Sequence, residues 1–493
     1  MSARYLPELD EFSALAAQGN LIPVYREILA DLETPVSAFL KIDDGGDAFL
    51  LESVEGGEKW GRYSFLGVAP EQVLQSKGTT LRAGPPHGPV TTREVRDPLD
   101  TARELLRRYR PVTVRGLPRF SGGLVGCLSY DLVRFFERLP TRATDEMQHP
   151  DLYLMLATTL VIFDNITQTI QVVAHAFLAD GVDPRVAYRD ACARIDAVIV
   201  RLAGPVCVPV SRPIDEPLNI RSNFSPGTFE AAVERAKEYV FAGDAIQIVL
   251  AQRFECPLRA HPFNIYRCLR TVNPSPYMFF LRLGGLTVLG ASPEVMVRVE
   301  GREVTVRPIA GTRPRGTEER QDRELERELC ADPKENAEHI MLVDLGRNDV
   351  GRVAKVGTVA VTERLAVERY SHVMHLVSNV RGELADGLDC FDAFRATFPA
   401  GTLTGAPKIR AMEIIEELEP ARRGIYGGAI GYFDFSGNMD TCISIRTMTI
   451  GDGTISVQAG AGIVADSNPE SEQAECVNKS RALFQAVKLA ERM

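Results

Sequence analysis

Carboxylates recur at helical spacing in two places. In DPKENAEHIMLVDLGRND, residues 332–349, Asp332 and Pro333 read as an N-cap and a first helical residue, and Met341, Leu342 and Leu345 form an apolar stripe. Traced back, that stripe begins with Glu338 and, three residues earlier, Glu335. An inward face that starts with two carboxylates conflicts with the cost of burying charge. Glutamates in the first turns also suit the macrodipole as solvated residues. Local sequence therefore leaves two readings open: a solvated helix start, or a partly buried cluster that requires a cation or a proton. A second pair, Glu472 and Glu475, stands three apart in NPESEQAECVNKS, with Lys479 one turn beyond Glu475, where an ordinary surface ion pair also fits. Two such helices meeting set hard oxygen ligands opposite each other. That suits Mg²⁺, which takes one or two protein carboxylates and completes its octahedron with water and substrate oxygens. No histidine or cysteine spacing points to zinc.

The last helix starts at Asn468 and Pro469, and the helix APKIRAMEIIEELE opens at Pro407 and closes at Pro420. Between them GIYGGAIGYFDF, TCISIRTMTI and TISVQAGAGIV read as three strands of an antiparallel meander, with SGN and GDG as the tight turns. The alternation of the middle strand puts Ile443 and Ile445 on one face and Arg446 on the other, mid-strand, to pair with an internal carboxylate or an anionic ligand. Gly460, Ala461 and Gly462 carry almost no side chain, so a packing helix or a ligand can approach that backbone. SPGTFEAAVERAKEYVFAGD reads as a helix capped by Ser225, with Pro226 first and Gly243 at its exit, followed by the strand AIQIVLAQRF. GPVCVPVSRPIDEP, residues 204–217, contains four prolines and marks a boundary. It separates an N-terminal region, 1–205, from a C-terminal region, 218–493.

The 493 residues allow one large or two to three ordinary domains, and 45% hydrophobic content supplies a substantial core. A net charge of -10 argues against nucleic acid as a main partner. No apolar run reaches the ~18 residues of a membrane span, and the N-terminus lacks the apolar core of a signal peptide. Nine scattered cysteines without a CxxC pair read as reduced thiols, so a cytoplasmic setting is expected.

Taken together, the motifs resemble the chorismate-utilising enzyme family over nearly the whole chain. They include LLESVEGGEKWGRYSFLG, FSGGLVGCLSYDLVR, NPSPYMFFL, ASPEVMVRVEG, RPIAGTRPRG, HVMHLVSNVRGEL, FPAGTLTGAPKIRAMEIIEELEP and QAGAGIVADSNPESEQAECVNKSRAL, beside the two glutamate helices. The resemblance implies an α+β fold of two orthogonally packed antiparallel β-sheets flanked by helices, with the two regions interwoven in one sandwich. It implies Mg²⁺ held directly by Glu338 and Glu475, with Glu335 and Glu472 acting through water, and the ring carboxylate of chorismate on the metal. Arg446 and Tyr426 match residues that grip the pyruvyl carboxylate. Gly460, Ala461 and Gly462 match a backbone wall, and Gly311, Thr312, Thr402 and Lys479 match further substrate contacts. Glu294 matches a general acid that protonates the departing ring hydroxyl. His375 matches an active-site histidine supporting loss of pyruvate, although a histidine in HVMHLVS alone reads more simply as a packed residue.

Two positions select among relatives. Gln247 stands where relatives that add water have a lysine base, and Ala310 stands where relatives making aminodeoxychorismate have a lysine that traps the intermediate. Both favour amination by ammonia followed by pyruvate elimination, giving anthranilate, over the aminodeoxychorismate and isochorismate-type alternatives. Cys127 in LVGCLSYD lacks the glycine of an amidotransferase elbow, so ammonia is expected from a separate glutamine amidotransferase subunit, in a heterotetramer of two large and two small chains. LLES and NPSPYM resemble the family's tryptophan feedback site, carrying over Ser53, Pro276, Tyr277 and Met278, with Glu52 and Asn273 as neighbours. Both segments read equally well as strand edges packed on a core.

Overall fold

The structure is a computed structural model that describes residues 4–53, 61–211, 213–214, 216–316, 318–370 and 373–493. Part of the LLESVEGGEKWG motif, two positions of the 204–217 boundary and the first histidine of HVMHLVS lie outside the described residues. Among the described residues the strands form two twelve-stranded sheets, paired antiparallel throughout and flanked by helices. Each sheet takes strands from both sides of the 204–217 stretch. In the first sheet the join is Ala48–Glu52 against Tyr277–Leu283, with Glu52 opposite Met278. In the second it is Gly123–Leu128 against Ala429–Asp434.

Burial on both faces explains why these strands read as continuous apolar runs. In Tyr277–Leu283, Phe279 and Leu281 enter a core with Val125, Cys127 and Met155 of the second sheet. Met278 and Phe280 face the other way, against Phe39 and Phe263 of covering helices. Phe39 stacks on Phe263 with centroids 4.9 Å apart, and Phe280 meets both edge-on. The period-2 alternation of side chains thus builds two cores from one strand.

Two expectations need correction. The predicted meander does not exist as one sheet. Ala429–Asp434 and Met439–Ile443 pair in the second sheet, while Thr447–Gly451 and Thr454–Ile463 pair in the first. The chain changes sheets at residues 444–446. There Ser444 exchanges backbone hydrogen bonds with Gly427 and Gly428, and Arg446 adopts φ 50°. Arg446 therefore sits at a corner rather than mid-strand. The pattern hid this because strand residues on both sides of the corner are buried. The tight turns stand: Gly437 has φ 91°, and Asp452 and Gly453 have φ 49° and 73°. The second correction is the helix Thr228–Phe241, which starts after Gly227 at φ 81°, so Ser225 and Pro226 precede it. The helix Lys408–Leu418 opens from Pro407, which takes the cap position in extended conformation.

Candidate active site

Pro333–Gly351 and Pro469–Ala490 are capped as their sequences predict. Asp332 accepts from the N–H groups of Lys334 and Glu335 at 3.0 and 3.2 Å, and Asn468 from Ser471 N–H at 3.0 Å. Their carboxylates divide. Glu338 and Glu475 line one cavity of about 240 Å³, opposite the glycine-bearing strand Thr454–Ile463. Glu335 turns aside to Arg313 at 3.2 Å, and Glu472 lies outside the cavity wall with its carboxyl pushed up by burial. Among the described residues no three histidine, cysteine or acidic side chains converge as a metal cluster. Two carboxylates facing one cavity, with neither thiolate nor a second imidazole beside them, fit a hard cation that draws its remaining ligands from water and substrate.

The same cavity gathers Gln247, Glu294, Thr312, His375, Thr402, Tyr426, Arg446, Gly460, Gly462 and Lys479, which are far apart in sequence. Gly311 and Ala461 are not on its wall. Gly311, at φ 65°, backs onto Leu329 and Glu335. Ala461 points its methyl into the core under Thr228–Phe241, because only alternate residues of a strand share a face. Gly460 and Gly462 are small for stated reasons. A Cβ at 460 would lie 2.9 Å from the Tyr426 hydroxyl, and one at 462 would lie 2.5 Å from the Gln247 amide nitrogen.

Electrostatics distinguishes the titratable groups. Burial pushes the Glu294 carboxyl up to about 7, against the Thr402 hydroxyl bond and the charges of Lys479 and Arg446, which act the other way. Thr402 Oγ1 donates to Glu294 Oε2 at 3.1 Å. His375 Nδ1 lies 3.1 Å from the Gly311 carbonyl and 3.0 Å from Thr312 Oγ1. A carbonyl only accepts, so Nδ1 carries the proton and Nε2 is the open acceptor. Burial pulls this imidazole below its ordinary pKa and the charge of Arg446 adds to the effect, so it is neutral. Arg446 Nη1 donates to the Lys479 carbonyl at 3.3 Å, while Lys479 Nζ donates to the Gly460 carbonyl at 2.9 Å and pairs with Glu475 at 2.6 Å. Gln247 Nε2 donates to Glu338 Oε1 at 3.2 Å.

Sequence reasoning missed Gln458, Val249 and Leu403 on this wall. Gln458 was within reach, since it shares a strand face with Gly460 and Gly462 at spacing two. Val249 and Leu403 are ordinary apolar residues whose role comes from position alone.

A second cavity, of about 180 Å³, is lined by Ser53, Pro276, Tyr277 and Met278. Tyr277 donates to Asp440 at 2.8 Å and accepts from Arg298 at 3.0 Å. Glu52 also lines it, but its carboxylate accepts from the Tyr266 hydroxyl and from Arg270 at 3.0 Å. Asn273 is not on its wall. Tyr63, Phe65 and Tyr432 give it aromatic walls, and Arg62 and Arg119 give it cations.

The sequence profile of the chorismate binding enzyme family matches residues 47–485. The chain is 50% identical to anthranilate synthase component 1 of Pseudomonas aeruginosa over 98% of this chain and 99% of that one. It is 48% identical to the protein of that name from Aquifex aeolicus over 98% of both. The crystal structure of anthranilate synthase component I from Streptococcus pneumoniae superposes with a TM-score of 0.77 at 36% identity, covering 92% of this chain and 98% of that one. A menaquinone-specific isochorismate synthase from Escherichia coli shares the fold, with a TM-score of 0.70 at 19% identity.

The Glu294 environment predicts a pH-dependent stability. Below about 4.5 the carboxyl is neutral in both folded and unfolded chains; between 4.5 and about 7 only the unfolded chain ionises, which favours unfolding; above 7 the penalty is complete. Holding the group at about 7 rather than 4.5 costs on the order of 3 kcal/mol at pH 8. Glu294→Gln should therefore be more stable than wild type at pH 8 and equal to it near pH 4. Urea denaturation at both pH values checks this, and parallel stability curves would contradict the burial of that charge.

Proposed function

The chain belongs to the chorismate binding enzyme family, and we propose that it is the large component of an anthranilate synthase, converting chorismate and ammonia into anthranilate, pyruvate and water. The observation that carries this reading is the single cavity that unites Glu294, its carboxyl pushed up to about 7, with the Gln247 amide, the His375 imidazole, the Arg446 guanidinium and two carboxylates. Glu338 and Glu475 would hold Mg²⁺, which when bound neutralises the ring carboxylate of the substrate and fixes its orientation. Arg446, with its planar fork, and the Tyr426 hydroxyl grip the pyruvyl carboxylate. Glu294, whose carboxyl is pushed up to about 7 and so keeps a substantial protonated fraction at neutral pH, gives its proton to the ring hydroxyl so that water departs rather than hydroxide. The second oxygen of that carboxyl stays fixed by Thr402. Ammonia needs no base to become a nucleophile, so an amide suffices at Gln247. His375 Nε2 then accepts the ring proton whose loss accompanies departure of pyruvate and restores aromaticity.

Gln247 and Ala310 both line the cavity. Neither carries an amine, which supports the anthranilate route over isochorismate-type and aminodeoxychorismate-type chemistry. The ammonia comes from a separate amidotransferase component, in a complex of two large and two small chains. The second cavity is a tryptophan feedback site, a reading supported by its aromatic and apolar walls. A cytoplasmic setting is supported by nine cysteines with no disulfide among them and by the absence, among the described residues, of any helix long and apolar enough to cross a membrane.

The deciding assay incubates the purified chain with chorismate, Mg²⁺ and ammonium and follows anthranilate fluorescence. Product should form with ammonium and not with glutamine, its rate rising with pH up to about 7 as free ammonia increases and levelling off above that as Glu294 loses its proton. Turnover of glutamine by this chain alone, or an isochorismate product, would sink the reading.

Glu338→Gln should abolish turnover at limiting Mg²⁺ with little loss of stability, since it removes one of two facing carboxylates. Isothermal titration of Mg²⁺ in the presence of chorismate gives an independent readout, and wild-type affinity in the variant refutes the ligand assignment.

Ser53→Phe should raise the tryptophan concentration for half-inhibition about tenfold or more, through one lost polar contact and a clash. Turnover without tryptophan should change little, because Ser53 is on the wall of the second cavity only. Superimposable inhibition curves remove Ser53 from the feedback site, and a dead variant points to a structural role.

A further inference from the structure

We propose that the buried ion pair of Arg423 and Glu419 is a positioning device for substrate, acting through three residues on the walls of the catalytic cavity, Val249, Leu403 and Tyr426, with Arg423 as its positioning residue. This inference rests on the function proposed above. It begins with a gap in a sheet. One edge of Gln247–Pro257 pairs continuously with Thr454–Ile463. Among the described residues the other edge pairs only towards its ends, where Gln247 and Ile248 meet Ala406 and Gly405 and where Arg253, Phe254 and Glu255 meet Asn223, Ser222 and Arg221.

Between those ends the ion pair takes the place of a strand. The Val249 carbonyl accepts from Arg423 Nη2 at 2.7 Å, and Ala251 N–H donates to Glu419 Oε1 at 2.9 Å. Arg423 closes the pair with two parallel bonds, Nε to Oε2 at 2.9 Å and Nη2 to Oε1 at 2.6 Å. An acceptor and a donor two residues apart on a strand edge are thus met by one anion–cation couple.

The same guanidinium reaches further. Nη1 donates to the Leu403 carbonyl at 2.5 Å, one residue from Thr402. The guanidinium carbon lies 5.7 Å from the Tyr426 ring centroid and 4.8 Å from that of Tyr130, placing the cation against both aromatic rings. The Arg423 carbonyl accepts from Gln458 Nε2 at 3.0 Å. Val249, Leu403, Tyr426 and Gln458 all line the catalytic cavity, whereas Arg423, 2% exposed, does not touch it. A fixed planar fork is required to hold these acceptors at once, and an ammonium on a flexible stem satisfies fewer of them.

Two variants test this beside wild type. Arg423→Met alone strands the Glu419 charge in the interior, so it is paired with Glu419→Gln. Removing both members of a buried ion pair is far better tolerated than removing one. The pair of substitutions should recover thermal stability but not substrate positioning. Chorismate Kd by calorimetry with Mg²⁺, and chorismate KM, should rise about tenfold or more, while KM for ammonium is unchanged. Arg423→Lys, which keeps a charge opposite Glu419, should show the same split at smaller size. A merely structural role predicts that recovered stability restores chorismate affinity. The proposal is overturned by wild-type Kd and KM in the stable double variant or, should that variant not fold, in Arg423→Lys. If wild type binds chorismate but makes no anthranilate, the function proposed above fails, and the Kd comparison still decides the positioning.

Discussion

Ten consecutive residue pairs, from Ile248 opposite Ile463 to Pro257 opposite Thr454, zip Gln247–Pro257 to Thr454–Ile463. The catalytic cavity depends on this ladder. Because strand side chains alternate, one register sends Gln458, Gly460 and Gly462 to the cavity and Ala459 and Ala461 to the packed core under Thr228–Phe241. Ala459 also borders the cavity, so the division is cleanest at Ala461. A slip of one residue would exchange those faces and put the Ala461 methyl where Gly460 and Gly462 leave room for the Tyr426 hydroxyl and the Gln247 amide. The sheet edge behind this wall has no neighbouring strand at Val249 and Ala251, and charged side chains complete it.

Burial then sets the chemistry. The cavity lies between packed layers, so its ionisable groups lose hydration, and each responds according to its partners. Glu294 has one hydroxyl donor, and burial pushes its carboxyl up to about 7, so it keeps its proton well above the ordinary carboxylate range. His375 is neutral for the same reason with the opposite sign, since burial disfavours the imidazolium, and the Gly311 carbonyl fixes which nitrogen stays open. Glu419, equally buried, faces a guanidinium with which it makes two hydrogen bonds. One physical effect therefore yields a raised carboxyl, a neutral imidazole and a buried ion pair, with the distinction made by neighbours within hydrogen-bond reach.

Much of this was legible in the sequence, because the informative signals were local. Asp332 and Asn468 announce their helices, and the spacing of Glu338 and Glu475 on them survives folding as two carboxylates facing one cavity. What was not legible depends on which layer a segment joins. TCISIRTMTI has no feature that marks residues 444–446 as a change of sheet, because apolar residues are needed on both sides of the corner. The glutamates one turn nearer the helix starts show the same limit: Glu335 and Glu472 have the right spacing, yet Glu335 is drawn to Arg313 and neither reaches the cavity. Arg423 was invisible for a related reason. A charged residue after a helix reads as solvated, and only the missing strand beside Val249 explains why it is buried.

The corner at residues 444–446 also explains how two separate cavities share one mechanical element. Asp440 and Cys442 line the cavity that holds Ser53, and the same stretch of chain continues through Ile443 to Arg446 on the catalytic wall. A second link lies alongside it. Tyr277, bonded to Asp440, is opposite Ser292 in its sheet, and the Ser292 hydroxyl donates to the Ile443 carbonyl at 2.7 Å, while Ile443 N–H donates to the Glu294 carbonyl at 3.0 Å. The backbone positions of Glu294 and Arg446 are therefore tied to strand residues that a ligand in the other cavity would touch. Coupling between sites requires a ligand to favour one arrangement of a shared element over another. Packed sheets move as units rather than deform continuously, so a small displacement of Met439–Ile443 shifts Glu294 and Arg446 together, without any contact between ligands in the two cavities.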